Sequence, residues 1–313
     1  CIHTYPENGG FDPDLTYTAL EIRLDNIWSH LALDYDVATK SVATPQLRIT
    51  AEITGGGQHG TSISAVVPYE DVENDIFVIP LASPLPQTRY SLSLWCDFVS
   101  PDSQEPYGYD VSSPHEIRPL FGHGEFSFLH DCWSHTCNFD LKGDGHGDGD
   151  IAVIPIFPAF PSGRFRIVAT DYEIFIAAHA DEIRRGDTFM VVVEYDDEIP
   201  GAFNLYEGSP CRPEENVTFS TPLDIISIPG IEMAIAADRL FALDTPMDIS
   251  LSITVFDSAK TVVAKTTGVS FPIERGKVTT ISGDFLTNII SGGITIDTAW
   301  EGEITIDLQE NQP

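Results

Sequence analysis

Apolar and polar residues alternate along much of this chain. Leu20, Ile22 and Leu24 are interleaved with Glu21, Arg23 and Asp25, and Leu47, Ile49, Ala51 and Ile53 with Arg48, Thr50, Glu52 and Thr54. The same rhythm returns at Ile249, Leu251, Ile253 and Val255, and again at Ile304, Ile306 and Leu308. Successive side chains of a strand point to opposite faces, so each segment has one apolar face and one wet face. Further strands are predicted over 62–69, 75–82, 89–99, 125–141 and 151–157. Others follow over 164–169, 189–195, 203–206, 217–220, 231–236, 261–272, 277–282 and 293–297. Many half-buried strands separated by Gly, Pro, Asn and Asp turns predict an all-β protein of antiparallel sandwiches. The rhythm breaks at Pro158-Ala159-Phe160-Pro161-Ser162-Gly163, which divides the chain into residues 15–158 and 159–313. One short helix is predicted in the second part. Thr170-Asp171-Tyr172-Glu173 has the form of a capping box, Ile174, Phe175, Ala178 and Ile183 supply a partial apolar face, and Gly186 is a stop preceded by Arg184 and Arg185.

At 313 residues the chain has room for two ordinary cores, and its hydrophobic fraction of 42% is too high for disorder. It carries 48 acidic against 16 basic residues, a formal charge of -32. That balance repels phosphate backbones and anionic headgroups, so neither nucleic acid nor a membrane held by charge is an expected partner. No apolar run approaches the ~20 residues of a spanning helix. The sequence opens on Cys1, followed by a short polar stretch to Asp14. A first cysteine of this kind remains when a bacterial lipoprotein signal is cut and the new terminal thiol acylated. Residues 1–14 are therefore expected to be a tether with Cys1 the lipidated residue, and the lipid the sole membrane contact.

The candidate chemistry is sparse. Cys96, Cys132, Cys137 and Cys211 allow several pairings; the tight spacing of Cys-Trp-Ser-His-Thr-Cys favours a local Cys132–Cys137 disulfide, with a metal reading that adds His130 and His135 as its rival. Asp144, Asp148 and Asp150 are hard oxygen ligands in a Gly-rich stretch that partly mimics a calcium loop. Position twelve of that loop is Pro155, where a bidentate Glu is needed, so a solvated inter-strand loop is the preferred reading. There is no Gly-x-Ser-x-Gly elbow, no His-Glu-x-x-His and no phosphate-binding loop. Neither catalysis nor a cofactor is expected. Trp28, Trp95, Trp133 and Trp300 could stack on sugars, although such rings more often bridge core layers.

Several segments together resemble one family. Cys1-Ile2-His3-Thr4-Tyr5-Pro6-Glu7 is similar to the mature start of Bacteroidales fimbrillin-like surface lipoproteins. Arg89 to Val99, with its Trp95-Cys96-Asp97, resembles their first-domain strand, and Pro161 to Asp171 the segment that leads into their second domain. Pro200-Gly201-Ala202-Phe203-Asn204-Leu205-Tyr206 is similar to a further run, and Pro272 to Thr287 to their C-terminal signature, with Gly276 where the family often has Asn. The resemblance implies two tandem transthyretin-like antiparallel β-sandwich domains and a fimbrial role as structural subunit, anchor or adhesin at the outer membrane. Its partners would be other fimbrial subunits or host and bacterial surface ligands. It also implies assembly by donor-strand exchange, for which Ile304, Ile306 and Leu308 are the candidate donor; pairing of that stretch within its own domain is the alternative. Related pilins mature by cleavage after an arginine, and Arg23, Arg48 and Arg89 are all open as that site. The main rival is a carbohydrate-binding surface lipoprotein of a nutrient-capture system.

Overall fold

The computed structural model describes residues 16–24, 46–55, 58–68, 76–86, 89–102, 105–125, 127–140, 150–156, 159–223, 226–228, 231–287, 289–294 and 303–307. They form an all-β protein with two compact units. The first takes in the chain to Leu120, then Ser127–Phe160 and Asn204–Gly208. The second takes in Phe121–Phe126, Pro161–Phe203 and the chain from Ser209 onward.

The first unit contains β1 (Thr16–Leu24), β2 (Gln46–Gly55), β3 (Gln58–Pro68), β4 (Ile76–Pro86), β5 (Arg89–Val99), β6 (Tyr109–Asp110), β7 (Arg118–Pro119), β8 (Cys132–Asp140) and β9 (Asp150–Ile156). An antiparallel sheet has the order β3-β2-β5-β8, and a second sheet the order β4-β1-β9. Alternation in β2 does what its sequence predicts: Leu47, Ile49, Ala51 and Ile53 are buried, while Arg48, Thr50 and Glu52 are half-buried. In β5, burial extends to both faces. Leu92, Leu94, Cys96 and Phe98 occupy one face, and Ser93, Trp95, Asp97 and Val99 the other. The second face is buried because the segment around β6 covers it. Tyr109 meets Trp95 edge-on at 5.2 Å, and Arg48 donates to the Tyr109 carbonyl at 3.1 Å.

The second unit is a sandwich of two five-stranded sheets. Its strands are β10 (Ser162–Ala169), β11 (Met190–Tyr195), β12 (Ile199–Asn204), β13 (Ser209–Glu214), β14 (Thr218–Pro222), β15 (Ile226–Ile228), β16 (Ile231–Phe241), β17 (Met247–Phe256), β18 (Val262–Ile273), β19 (Val278–Gly283), β20 (Ile289–Ile294) and β21 (Glu303–Asp307). One sheet runs β15-β16-β10-β19-β21, the other β14-β11-β17-β18-β20, and β12 pairs with β13 as a ribbon. A single core joins the sheets: Phe165 and Ile167 of β10, Ile235 of β16 and Ile281 of β19 cluster with Val191 and Val193 of β11, Ile253 of β17 and Phe271 of β18.

The expected all-β sandwich architecture is found, with two details added. Beside the antiparallel pairs, β1–β9, β10–β19, β18–β20 and β19–β21 pair in parallel. Strands joined by hairpins must be antiparallel, but each of these pairs joins strands that are not consecutive in the chain. The helix is two short ones, α1 (Tyr172–Ala178) and α2 (Ala180–Arg184), separated at His179 where φ is -105° and ψ 18°. No side-chain cap forms at α1. The Thr170 hydroxyl donates instead to Asp284 at 2.6 Å, because a tertiary acceptor outcompetes the local one. The helix does stop where predicted. Gly186 takes φ +89°, and its N–H and that of Asp187 donate to the Ile183 and Glu182 carbonyls, the paired closure of a Schellman motif.

Candidate assembly edge

The two C-terminal strands complete the second unit. β18 and β19 are consecutive strands in different sheets, turned at Glu274–Lys277 by a bond from the Lys277 N–H to the Glu274 carbonyl at 3.1 Å. β20 lies outside β18 and β21 outside β19, each as the last strand of its sheet. The registers are Lys265↔Ile289 to Val269↔Ile294 on one side and Val278↔Glu303 to Ser282↔Asp307 on the other. One C-terminal stretch thus covers the backbone ladder of two sheets. Ile304 and Ile306 hold the register positions of Thr279 and Ile281, both fully buried; Leu308 lies outside the described residues. The root of the stretch is fixed by Asp171. Its Oδ2 accepts from the Leu286 N–H at 3.0 Å, and from the Thr287 N–H and hydroxyl at 2.7 Å each.

Two buried carboxylates organise the rest. In the first unit Asp97 is fully buried and opposite Arg48 in the β2–β5 register. Arg48 grips it with two bonds, Nε to Oδ1 at 2.8 Å and a terminal nitrogen to Oδ2 at 2.5 Å. Burial raises the Asp97 pKa above the ordinary carboxylate value, against the opposing pull of Arg48 and Trp95. In the second unit Asp238 is 2% exposed and accepts four bonds. Oδ2 takes the Tyr195 hydroxyl at 2.6 Å and faces His123 Nδ1 at 2.7 Å, while Oδ1 takes the N–H groups of Gly124 at 3.0 Å and Arg239 at 2.8 Å. Sequence reading missed both clusters. The only local signal was a charged residue on a strand otherwise reading as core, as at Asp97 and Asp238.

The predicted site residues fall apart. Cys132 and Cys137 lie on one straight strand, β8, five residues apart and so on opposite faces. A strand rises about 3.3 Å per residue, which puts their Cα atoms ~17 Å apart, far beyond disulfide reach. The expected bridge is therefore corrected, and Cys137 is a free thiol. What reads as a tight loop is half of a ladder with β5, Leu92↔Cys137 to Asp97↔Cys132. Burial raises the thiol pKa values of Cys96 and Cys137. Asp150 opens β9 opposite Tyr17, whereas Asp144 and Asp148, like Cys1, lie outside the described residues. Among the described residues no group of His, Cys, Asp and Glu is arranged to hold a metal. Trp95 and Trp133 are buried at 0% and 1% exposure and offer no face to a sugar; Trp28 and Trp300 lie outside the described residues. An open cavity of about 290 Å³ in the second unit is lined by Ile199, Pro200, Pro213, Leu243 and Met247, without an aromatic ring.

Residues 19–312 match the profile of a family described as a family of unknown function, DUF6562. The chain belongs to this family. No curated protein matches the DUF6562 chain by sequence. Its fold is similar to a candidate adhesin from Bacteroides ovatus, with 12% identity, 93% of each chain covered and a TM-score of 0.41. It is also similar to the fimbrial anchor protein Mfa2 from Porphyromonas gingivalis, with 10% identity, 80% of this chain and 81% of that chain covered and a TM-score of 0.39. A fimbrial assembly protein from Parabacteroides distasonis gives 9% identity, 86% and 91% coverage and a TM-score of 0.36. Likeness at this level assigns no activity or partner to the family.

Proposed function

We propose that this protein is a structural, anchoring or adhesive subunit of a surface fimbria, held at the outer membrane by a lipid on Cys1, and that its C-terminal stretch can be traded between copies. The observation that carries this reading is the edge position of β20 and β21. One terminal stretch closes both sheets of the second unit through parallel, non-local pairing. Removing it would leave β18 and β19 with unpaired N–H and C=O groups, a template that another strand of the same alternation satisfies. The order of sequence motifs from Cys1 to Leu308 supports the same assignment. The work such a subunit does is contact and assembly, with no bond made or broken.

The test is a chain cut after Thr287, the last residue held by Asp171. Circular dichroism should report retained β structure, and a synthetic peptide of residues 288–308 should bind the cut chain, as read by calorimetry, but not the intact one. The same peptide with Ile304 and Ile306 changed to Asp should lose binding. A folded cut chain that ignores the peptide would overturn donor-strand exchange.

A further inference from the structure

Only one described segment from the first half of the chain belongs to the second unit, and it is short: residues 121–125. It is a tight turn, with the Glu125 N–H donating to the Gly122 carbonyl at 3.3 Å. Two of its polar groups meet one carboxylate, with His123 Nδ1 at 2.7 Å from Asp238 Oδ2 and the Gly124 N–H donating to Oδ1 at 3.0 Å. Gly124 also lies against Phe219, so closely that a Cβ would sit 2.5 Å from a ring carbon. The His123 side chain is 23% exposed while that of Asp238 is 2% exposed, so solvent protons reach the ring although its partner is sealed.

We propose that the segment 121–125 is a proton-dependent latch that closes on the rest of the second unit through His123 and Asp238. Three titratable groups face the imidazole: Asp238 on β16, Tyr195 on β11, whose ring lies 5.9 Å away, and Glu214 at the end of β13. Burial alone would lower the His123 pKa, but the hydrogen bond and charge of Asp238, helped by Glu214, outweigh it and leave the value raised. Tyr195 is pushed well above its ordinary value by burial and by Asp238, so it stays neutral as His123 titrates. The sign follows. A histidine whose folded pKa exceeds its unfolded value of about 6.5 contributes its full stabilisation below that value and loses it as pH rises through the folded pKa. The neutral ring can still donate from Nδ1, so the latch weakens at alkaline pH and does not vanish.

Amide exchange at Gly124 reads the latch directly, since that N–H is bonded to Asp238. In the full chain, after correction for the intrinsic base-catalysed rate, Gly124 protection should fall severalfold between pH 6 and pH 8.5. Val193 in the core strand should show no such fall. His123→Gln keeps a neutral donor and cannot titrate, so its Gly124 protection should be low and flat across the same range. Protection in the unaltered chain that does not change with pH, or a pH response that survives in His123→Gln, overturns the proposal. Neither outcome depends on whether C-terminal strands are exchanged.

Discussion

Gly124 and Gly276 both take a positive φ, +77° and +72°, and differ in what surrounds them. A Cβ at Gly124 would strike the Phe219 ring, whereas nothing lies within 4 Å of one at Gly276. The left-handed backbone costs an ordinary side chain roughly 1–2 kcal/mol, and Asn less because its short amide bonds locally. Gly276→Asn should therefore leave the urea midpoint of the second unit nearly unchanged. Gly124→Ala adds a collision to that backbone cost and should lower stability by about 1–3 kcal/mol, with Gly124-region amides exchanging faster. Equal effects of the two changes would show that the Phe219 contact is not what holds the segment. The place of the turn at Gly276 was legible because it falls between the strands predicted over 261–272 and 277–282. The His123–Asp238 contact was not, since it spans 115 residues and neither neighbourhood carries a periodic trace of the other.

Among the elements, Asp171 decides where the body of the second unit ends and its C-terminal stretch begins. It sits just before α1, yet its carboxylate bonds Leu286 and Thr287, directly ahead of β20. Replacing it with Ala would strip three donors of their acceptor, two of them on the backbone. Buried donors left without a partner cost about 1–3 kcal/mol each, less where water enters. Asp171→Ala should thus raise hydrogen exchange in β20 and β21 well above that in β17, and Asp171→Asn, which keeps a carbonyl acceptor, should do so less. Uniform loosening of the whole unit would contradict the role of Asp171 as the anchor of that stretch. Strands such as β2 and β17 were legible because one buried face forces alternation. The N-terminal cap of α1 and the supposed Cys132–Cys137 bridge were misread for a common reason: local spacing says which partners are near in sequence, and tertiary ladders and acceptors decided both.

For the whole molecule, the two units do not coincide with the two halves of the chain. Asn204–Gly208 belongs to the first unit and Phe121–Phe126 to the second. Leu205 is 1% exposed, donates its N–H to the Pro114 carbonyl at 2.8 Å and accepts from the Thr136 hydroxyl at 2.8 Å. Beside it the Tyr206 hydroxyl donates to Glu52, and burial with that carboxylate pushes the Tyr206 pKa up to about 12. Division at Phe160/Pro161, two residues beyond the 158/159 boundary read from the sequence, would remove these groups from one fragment and the His123 and Gly124 donors from the other. Losing a buried leucine alone costs about 2–5 kcal/mol, and stripping donors from a buried carboxylate about 1–3 kcal/mol. Residues 1–160 made alone should therefore unfold at lower urea than the first unit within the full chain. Residues 161–313 should also unfold earlier, by a smaller margin. A control separates missing groups from mere truncation: the full chain with Leu205→Ala and Tyr206→Ala should reproduce most of the first fragment's loss while leaving exchange in β17 unchanged. If that double variant is as stable as the unaltered chain, Asn204–Gly208 is a passive connection and the units fold as independent halves.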